Sequence, residues 1–276
     1  MAEYIDRRAL KAETNALLAD AQVSPKAMTA LYMGLLLVLN LVSTLTGSGG
    51  IITTFVSILT TLMALVLHAG FTLYCMAVRR GERAEFLTIF DGFSFVGKII
   101  ALNLVKNIFI FLWSILFFVP GVIAAYRYRF ALLNLYENPE LGIMEALNLS
   151  KRQTFGYKGQ LLMLDLSYLG WGLLSALPAL FYSSVISYET FQQTAGQIMG
   201  ASTIAAMPAE IAAAFALPAA VWTLIMSLWQ LLVSVFYYAS FQCTELGYFE
   251  TAKRTSGADA SRRAPWSSGP DDLGGF

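Results

Sequence analysis

Long apolar runs constrain this chain more than any other feature. A helix that crosses the hydrocarbon core of a bilayer needs about 20 predominantly apolar residues. Such runs occur at Ala27–Thr46, Ile51–Val78, Lys98–Val119, Gln160–Ser183 and Glu210–Ser240, with a shorter one at Gly121–Tyr136. Composition agrees with a lipid environment. The 276 residues are 57% hydrophobic and 13% charged, with a mean hydropathy of +0.61, whereas a soluble domain is about 25% charged. Half the usual charge cannot wet a soluble surface of this size. The expected fold class is all-α, a polytopic transmembrane helical bundle of about six spans with short amphipathic cytoplasmic helices. Gly47–Gly50 reads as the first turn, and Pro218 as a kink that neighbouring helices tolerate.

The distribution of charge orients the spans, because Lys and Arg accumulate on the cytoplasmic side. Arg7, Arg8, Lys11 and Lys26 precede the first run. Arg79, Arg80 and Arg83 follow the second, and Lys151, Arg152 and Lys158 precede the fifth. Lys253, Arg254, Arg262 and Arg263 lie in the tail. The connection at Gly47–Gly50 has no basic residue, and neither has Ser184–Ala209. Six spans with both termini cytoplasmic place every basic connection on one side. Reading Pro120-Gly121 as a kink within one span gives five, and puts a basic cluster outside. The division expected is a cytoplasmic amphipathic segment at 1–26, a transmembrane domain at 27–250 and a disordered cytoplasmic tail at 251–276.

Two polar stretches read as ordered. Asn138 fits an N-cap and Pro139 the first position of a helix, with Glu140 near its positive end. Leu141, Met144 and Leu147 recur at helical spacing, and Gly156 ends the pattern. Residues 3–22 read as a second amphipathic helix. Its basic face suits an anionic leaflet, or it is a solvated lead-in.

Ionisable groups inside spans are costly and mark functional candidates. Here these are Lys106, Arg127, Arg129 and Asp165, with His68, and with Glu245 near a membrane end. Asp165 lies about five residues into its span and Arg129 about seven residues from the end of the preceding one. At 1.5 Å per residue the depths differ by roughly 3 Å, so the two can pair. Lys106 can compete for the same carboxylate. On a continuous helix Arg127 and Arg129 point about 200° apart and cannot share a face. Tyr126 and Tyr128 offer hydroxyls and ring faces between them. The group is either a satisfied polar knot that fixes helix packing or an anion, lipid-headgroup or ion site. Pro120 and Gly121 read as the turn between two antiparallel spans.

Several function classes lack material. The formal net charge of +0, with 18 basic and 18 acidic residues, argues against nucleic acid. One histidine and two scattered cysteines do not make a transition-metal site. There is no phosphate-binding glycine loop, zinc-protease helix or nucleophile elbow, and no second buried Asp to face Asp165. No enzymatic activity and no cofactor is expected. The expected partners are the lipid bilayer and either a membrane protein or a second copy, through small-residue stretches such as "GLLSALPA".

Three blocks in order, "LWSILFFVPGVIAAY", "ENPELGIMEALNLSK" and "GYKGQLLMLDLSYLGW", resemble the bacterial integral membrane protein family named domain of unknown function 975. The resemblance is best over about Phe86–Trp171. It implies a multi-pass protein of a bacterial cytoplasmic (inner) membrane, and no established activity or catalytic residue. The long connection after Ser183 departs from the family pattern. The functional expectation is a non-enzymatic structural, accessory or regulatory membrane component. The alternative is a protein that binds or transports a small solute, ion or lipid headgroup through its intramembrane charges.

Overall fold

The computed structural model describes residues 3–46, 50–199 and 219–257. Among these the chain is helical and contains no strand. In chain order the helices are α1 (Arg7–Ala19), α2 (Pro25–Leu45) and α3 (Ile51–Arg79), then a 3-10 helix at Phe86–Phe95. There follow α4 (Val96–Leu116), α5 (Phe118–Arg127), α6 (Ala131–Glu137), α7 (Ile143–Gln153), α8 (Lys158–Met199) and α9 (Ala219–Thr255). Five helical stretches among the described residues are long and apolar enough to cross a membrane: Pro25–Leu45, Ile51–Arg79, Phe86–Leu116, Lys158–Leu180 and Leu224–Thr255. The protein is an all-α polytopic membrane bundle.

The expected fourth span is corrected. Gly121–Tyr136 is not one helix but α5 of 10 residues and α6 of 7, separated by a turn at 128–130. Neither piece alone reaches spanning length. The turn that precedes α5 also differs from expectation. Phe117 alone is extended, with φ −162° and ψ 151°, and α5 begins at the next residue. Pro120 and Gly121 therefore lie in the first helical turn, where a missing N–H costs nothing. Gly121 serves close approach to α4. A Cβ there would lie 2.2 Å from Ser114 Oγ and 2.9 Å from Ser114 Cα.

Two helices run further than their apolar runs. α8 continues to Met199, through residues expected to form an external connection. α9 continues to Thr255, so Glu245 stands well inside a helix rather than at a span end. Pro218, most of the Gly47–Gly50 turn and most of the tail lie outside the described residues.

By contact the chain divides into two compact units. One comprises the described parts of Met1–Ser24, Leu65–Ser167 and Ser240–Phe276; the other comprises those of Pro25–Ala64 and Tyr168–Ala239. The first unit holds a dense aromatic core. Phe71, Tyr74, Phe130, Tyr157 and Phe249 are buried, and Phe130 meets Phe249 edge-on at 5.5 Å. The 3-10 helix lies on α3 through paired glycines. A Cβ on Gly70 would stand 1.8 Å from Ile89 O, and one on Gly92 would stand 2.6 Å from Val66 O.

α1 is docked on protein rather than turned towards a leaflet. Arg7 donates to Met163 O at 2.7 Å and Lys11 to Ser167 Oγ at 3.0 Å. Glu13 lies 3.7 Å from Arg79, which also pairs with Glu250 at 2.7 Å. Arg7 and Lys11, on the face that suits an anionic leaflet or a solvated lead-in by sequence, thus meet α8.

In the second unit Tyr32 stacks on Tyr238 and Trp171 on Tyr237, at 5.6 and 5.8 Å between centroids. Large apolar side chains along the spans, such as Phe111, Leu112 and Leu116, are exposed. Lipid provides the medium in which such exposure is stable.

Candidate functional site

The site is built on a break in the polypeptide. Helix α5 stops at Arg127 and α6 restarts at Ala131, which would leave backbone groups unpaired in an apolar setting. α7 supplies the partners. Ser150 Oγ donates to Arg127 O at 2.9 Å and accepts from Phe130 N at 3.1 Å, so one hydroxyl stitches both sides of the break. Thr154 Oγ1 is shared between the same carbonyl, at 3.2 Å, and Ser150 O, at 2.9 Å. Asn134 on α6 and Gln153 on α7 exchange amide hydrogen bonds of 2.7 and 2.8 Å, both buried. α7 begins at Ile143 with Gly142 as its N-cap. Asn138 instead closes α6, and its Oδ1 accepts from Glu140 N at 3.2 Å. Pro139 lies between the helices, with its carbonyl accepting from Lys98 Nζ. The cap expected at Asn138 is thus a helix end, and the amphipathic helix starts five residues after it.

The break places Arg129 where three helices converge. Its Nη1 and Nη2 donate to Asp165 Oδ2 and Oδ1 on α8, at 2.6 and 2.8 Å. Its Nε donates to Glu245 Oε1 on α9 at 2.7 Å. The hydroxyl of Tyr126 adds a 2.7 Å hydrogen bond to Asp165 Oδ2. The guanidinium also faces the rings of Tyr126 and Phe241, 5.6 and 6.0 Å from their centroids. A planar fork matched to a carboxylate is the geometry arginine is suited to. Side-chain exposures of 16% for Arg129, 33% for Asp165 and 14% for Glu245 show how far the trio is withdrawn.

Of the four charged residues predicted from sequence, Arg129 and Asp165 form the bridge. Lys106 does not compete for Asp165; the carboxylate that acts on it, and on His68, is Glu245. Formally the charges of Arg129, Lys106, Asp165 and Glu245 cancel. Arg127 stands apart. Its carbonyl receives α7, and its side chain makes no ion pair or hydrogen bond among the described residues. Arg127 and Arg129 do not share a continuous helix, because α5 ends between them. Ser150 and Thr154 carried no signal in the sequence, because a serine or threonine on a helix is ordinary until the backbone it caps is known.

The helix break, with its backbone satisfied by hydroxyls of a neighbouring helix, lies within the segment that a known family shares. Residues 117–198 match the family model described as Protein of unknown function (DUF975). This is the family that the sequence resembles. The matched segment starts at the extended Phe117 and carries α5, the break, α6, α7 and the described part of α8. It runs to residue 198, so the first part of the long connection after Ser183 falls within the match. Lys106 and Glu245 lie outside the DUF975 segment. No curated protein and no solved structure matches the chain.

Chemically the knot is well supplied with mutual partners. One guanidinium satisfies two carboxylates, and a phenol occupies a further lone pair. A group whose donors are committed in this way has little left for a substrate.

Proposed function

We propose that the protein is a non-enzymatic structural, accessory or regulatory component of a bacterial cytoplasmic (inner) membrane, in which the discontinuous α5–α6 segment makes a sixth crossing and leaves both termini on the cytoplasmic side. The observation that carries this reading is the commitment of Arg129 to Asp165 and Glu245. Its intramembrane donors are spent on helices α8 and α9 rather than presented to a cavity. The discontinuous segment then acts as a fixed joint held by α7. The orientation rests on the clustering of basic residues in alternate connections. Function follows through association with another membrane protein or a second copy. Purification from native membranes in mild detergent tests this. Recovery in a stoichiometric complex is expected, and recovery only as a partner-free monomer in several detergents contradicts it.

A second reading, binding or transport of a small solute, ion or lipid headgroup, draws on Arg127, whose side chain is uncommitted. Arg127→Gln distinguishes the two. Unchanged association with altered solute or lipid binding favours the second reading.

A further inference from the structure

The second unit carries polar groups at membrane depth that the knot does not use. α2 and the first half of α3 border a groove of about 240 Å³, lined by Leu36, Asn40, Ser43, Ser57, Thr60 and Thr61, among others. Both helices are long and apolar enough to cross a membrane. Asn40 stands five residues before Leu45, where α2 ends, so its amide lies about 8 Å inside the span. Hydrocarbon offers such a group no hydrogen bond.

The threonines of the groove are satisfied within α3, and Asn40 is only half satisfied within α2. Thr60 and Thr61 both donate to Ser57 O, at 3.1 and 2.7 Å. Asn40 Nδ2 donates to Leu36 O at 3.0 Å. That engages one of its two N–H groups, and its Oδ1 accepts no hydrogen bond among the described residues. The residue is exposed. An asparagine left open on a membrane span calls for a partner that hydrogen-bonds across helices.

A second copy of the chain meets that requirement with nothing added. Any partner must bring a donor and an acceptor to the depth of Asn40. A copy related by a two-fold axis along the membrane normal brings Asn40 itself, at the same depth by symmetry. An amide is donor and acceptor at once, so two amides pair reciprocally. The fold already contains that arrangement, between Asn134 and Gln153 at 2.7 and 2.8 Å.

We propose that this groove is the contact between two copies of the chain, with the Asn40 side chains exchanging hydrogen bonds across the two-fold axis. It rests on the reading that the protein acts through association, and names the surface and the partner.

Full-length protein labelled at its C-terminus with donor or acceptor fluorophores is reconstituted in phosphatidylcholine vesicles, and energy transfer is followed over a range of protein-to-lipid ratios. Wild type is expected to dimerise. Asn40→Leu is an apolar exchange that lipid tolerates. It is expected to keep the melting temperature and to weaken the dimer about tenfold, the loss of two interhelical hydrogen bonds. Oxidative cross-linking identifies the face. Ser43→Cys keeps Asn40 and is expected to give a disulfide-linked dimer. Val42→Cys is not, because the exposed Val42 lies about 200° round the helix from Asn40. The native Cys75 and Cys243 are buried. A dimer that Asn40→Leu leaves at wild-type affinity, or that cross-links through Val42→Cys and not through Ser43→Cys, overturns the proposal and leaves association in place. A monomer at every ratio also overturns it. Recovery from native membranes in a complex with a different protein then keeps the association reading, and recovery as a partner-free monomer contradicts both.

Discussion

Replacing Arg129 by Met tests whether the knot holds the fold together. The substitution keeps the length of the side chain and removes the charge. It strips Asp165 of two hydrogen bonds of 2.6 and 2.8 Å and Glu245 of one of 2.7 Å. Two carboxylates then remain largely buried with one cation, Lys106, acting on Glu245. Breaking a buried pair by removing one partner costs about 3–5 kcal/mol. Asp165→Leu removes one acceptor but leaves Arg129 on Glu245, so its cost is lower, about 2–3 kcal/mol. The double variant Arg129→Met, Asp165→Leu leaves Glu245 to Lys106 and no uncompensated pair. Its cost is expected to fall short of the sum of the single costs by about 2 kcal/mol, the coupling found for residues within one network. For a chain of this size 1 kcal/mol moves the melting temperature by roughly 2 °C. Arg129→Met is then about 6–10 °C less stable than wild type. Thermal unfolding of the detergent-purified variants, followed by loss of the monodisperse size-exclusion peak, measures all three. A melting temperature for Arg129→Met within about 2 °C of wild type, or strictly additive costs, refutes the reasoning.

Three further outcomes follow from the same geometry. Ser150→Ala leaves Phe130 N without its acceptor and Arg127 O with only Thr154. It is expected to cost about 1–3 kcal/mol and to raise hydrogen exchange at 127–131 selectively. Gly70→Ala drives a methyl into the backbone carbonyl of Ile89, whereas Gly121→Ala meets the side chain and Cα of Ser114. The first is expected to abolish recovery of folded protein and the second to cost about 1–3 kcal/mol in a melting assay. Asn134→Ala strands the buried amide of Gln153. It is expected to destabilise by about 1–3 kcal/mol, and Asn134→Leu, Gln153→Leu together by less than Asn134→Ala alone.

The apolar runs made the membrane class and most of the helices readable, because a bilayer imposes length and composition on a helix whatever its tertiary partners. The pairing of Arg129 with Asp165 was readable from depth alone. What escaped was set by tertiary contacts. "VIAAYRYRFALLNLY" has no Gly or Pro at 128–130, so nothing local announces the break; its backbone is satisfied by Ser150 and Thr154 some twenty residues away. Glu245 was underrated because hydropathy falls after Ser240 while the helix continues to Thr255. The Asn138-Pro139 signature is a sound helix start by local rules, yet α6 already ends there. Arg7 and Lys11 sit four apart on α1, as a lipid-facing basic stripe would, and their partners on α8 lie more than 150 residues away.

The measurement that bears most directly on the central claim is an experimental density map of the protein in a lipid nanodisc around Arg129. Continuous side-chain density joining Arg129 to Asp165 and Glu245 is expected, with Tyr126 on Asp165 and no enclosed ligand between them. An Arg129 side chain turned into a water-filled cavity, or a bound anion lying between it and the carboxylates, contradicts it.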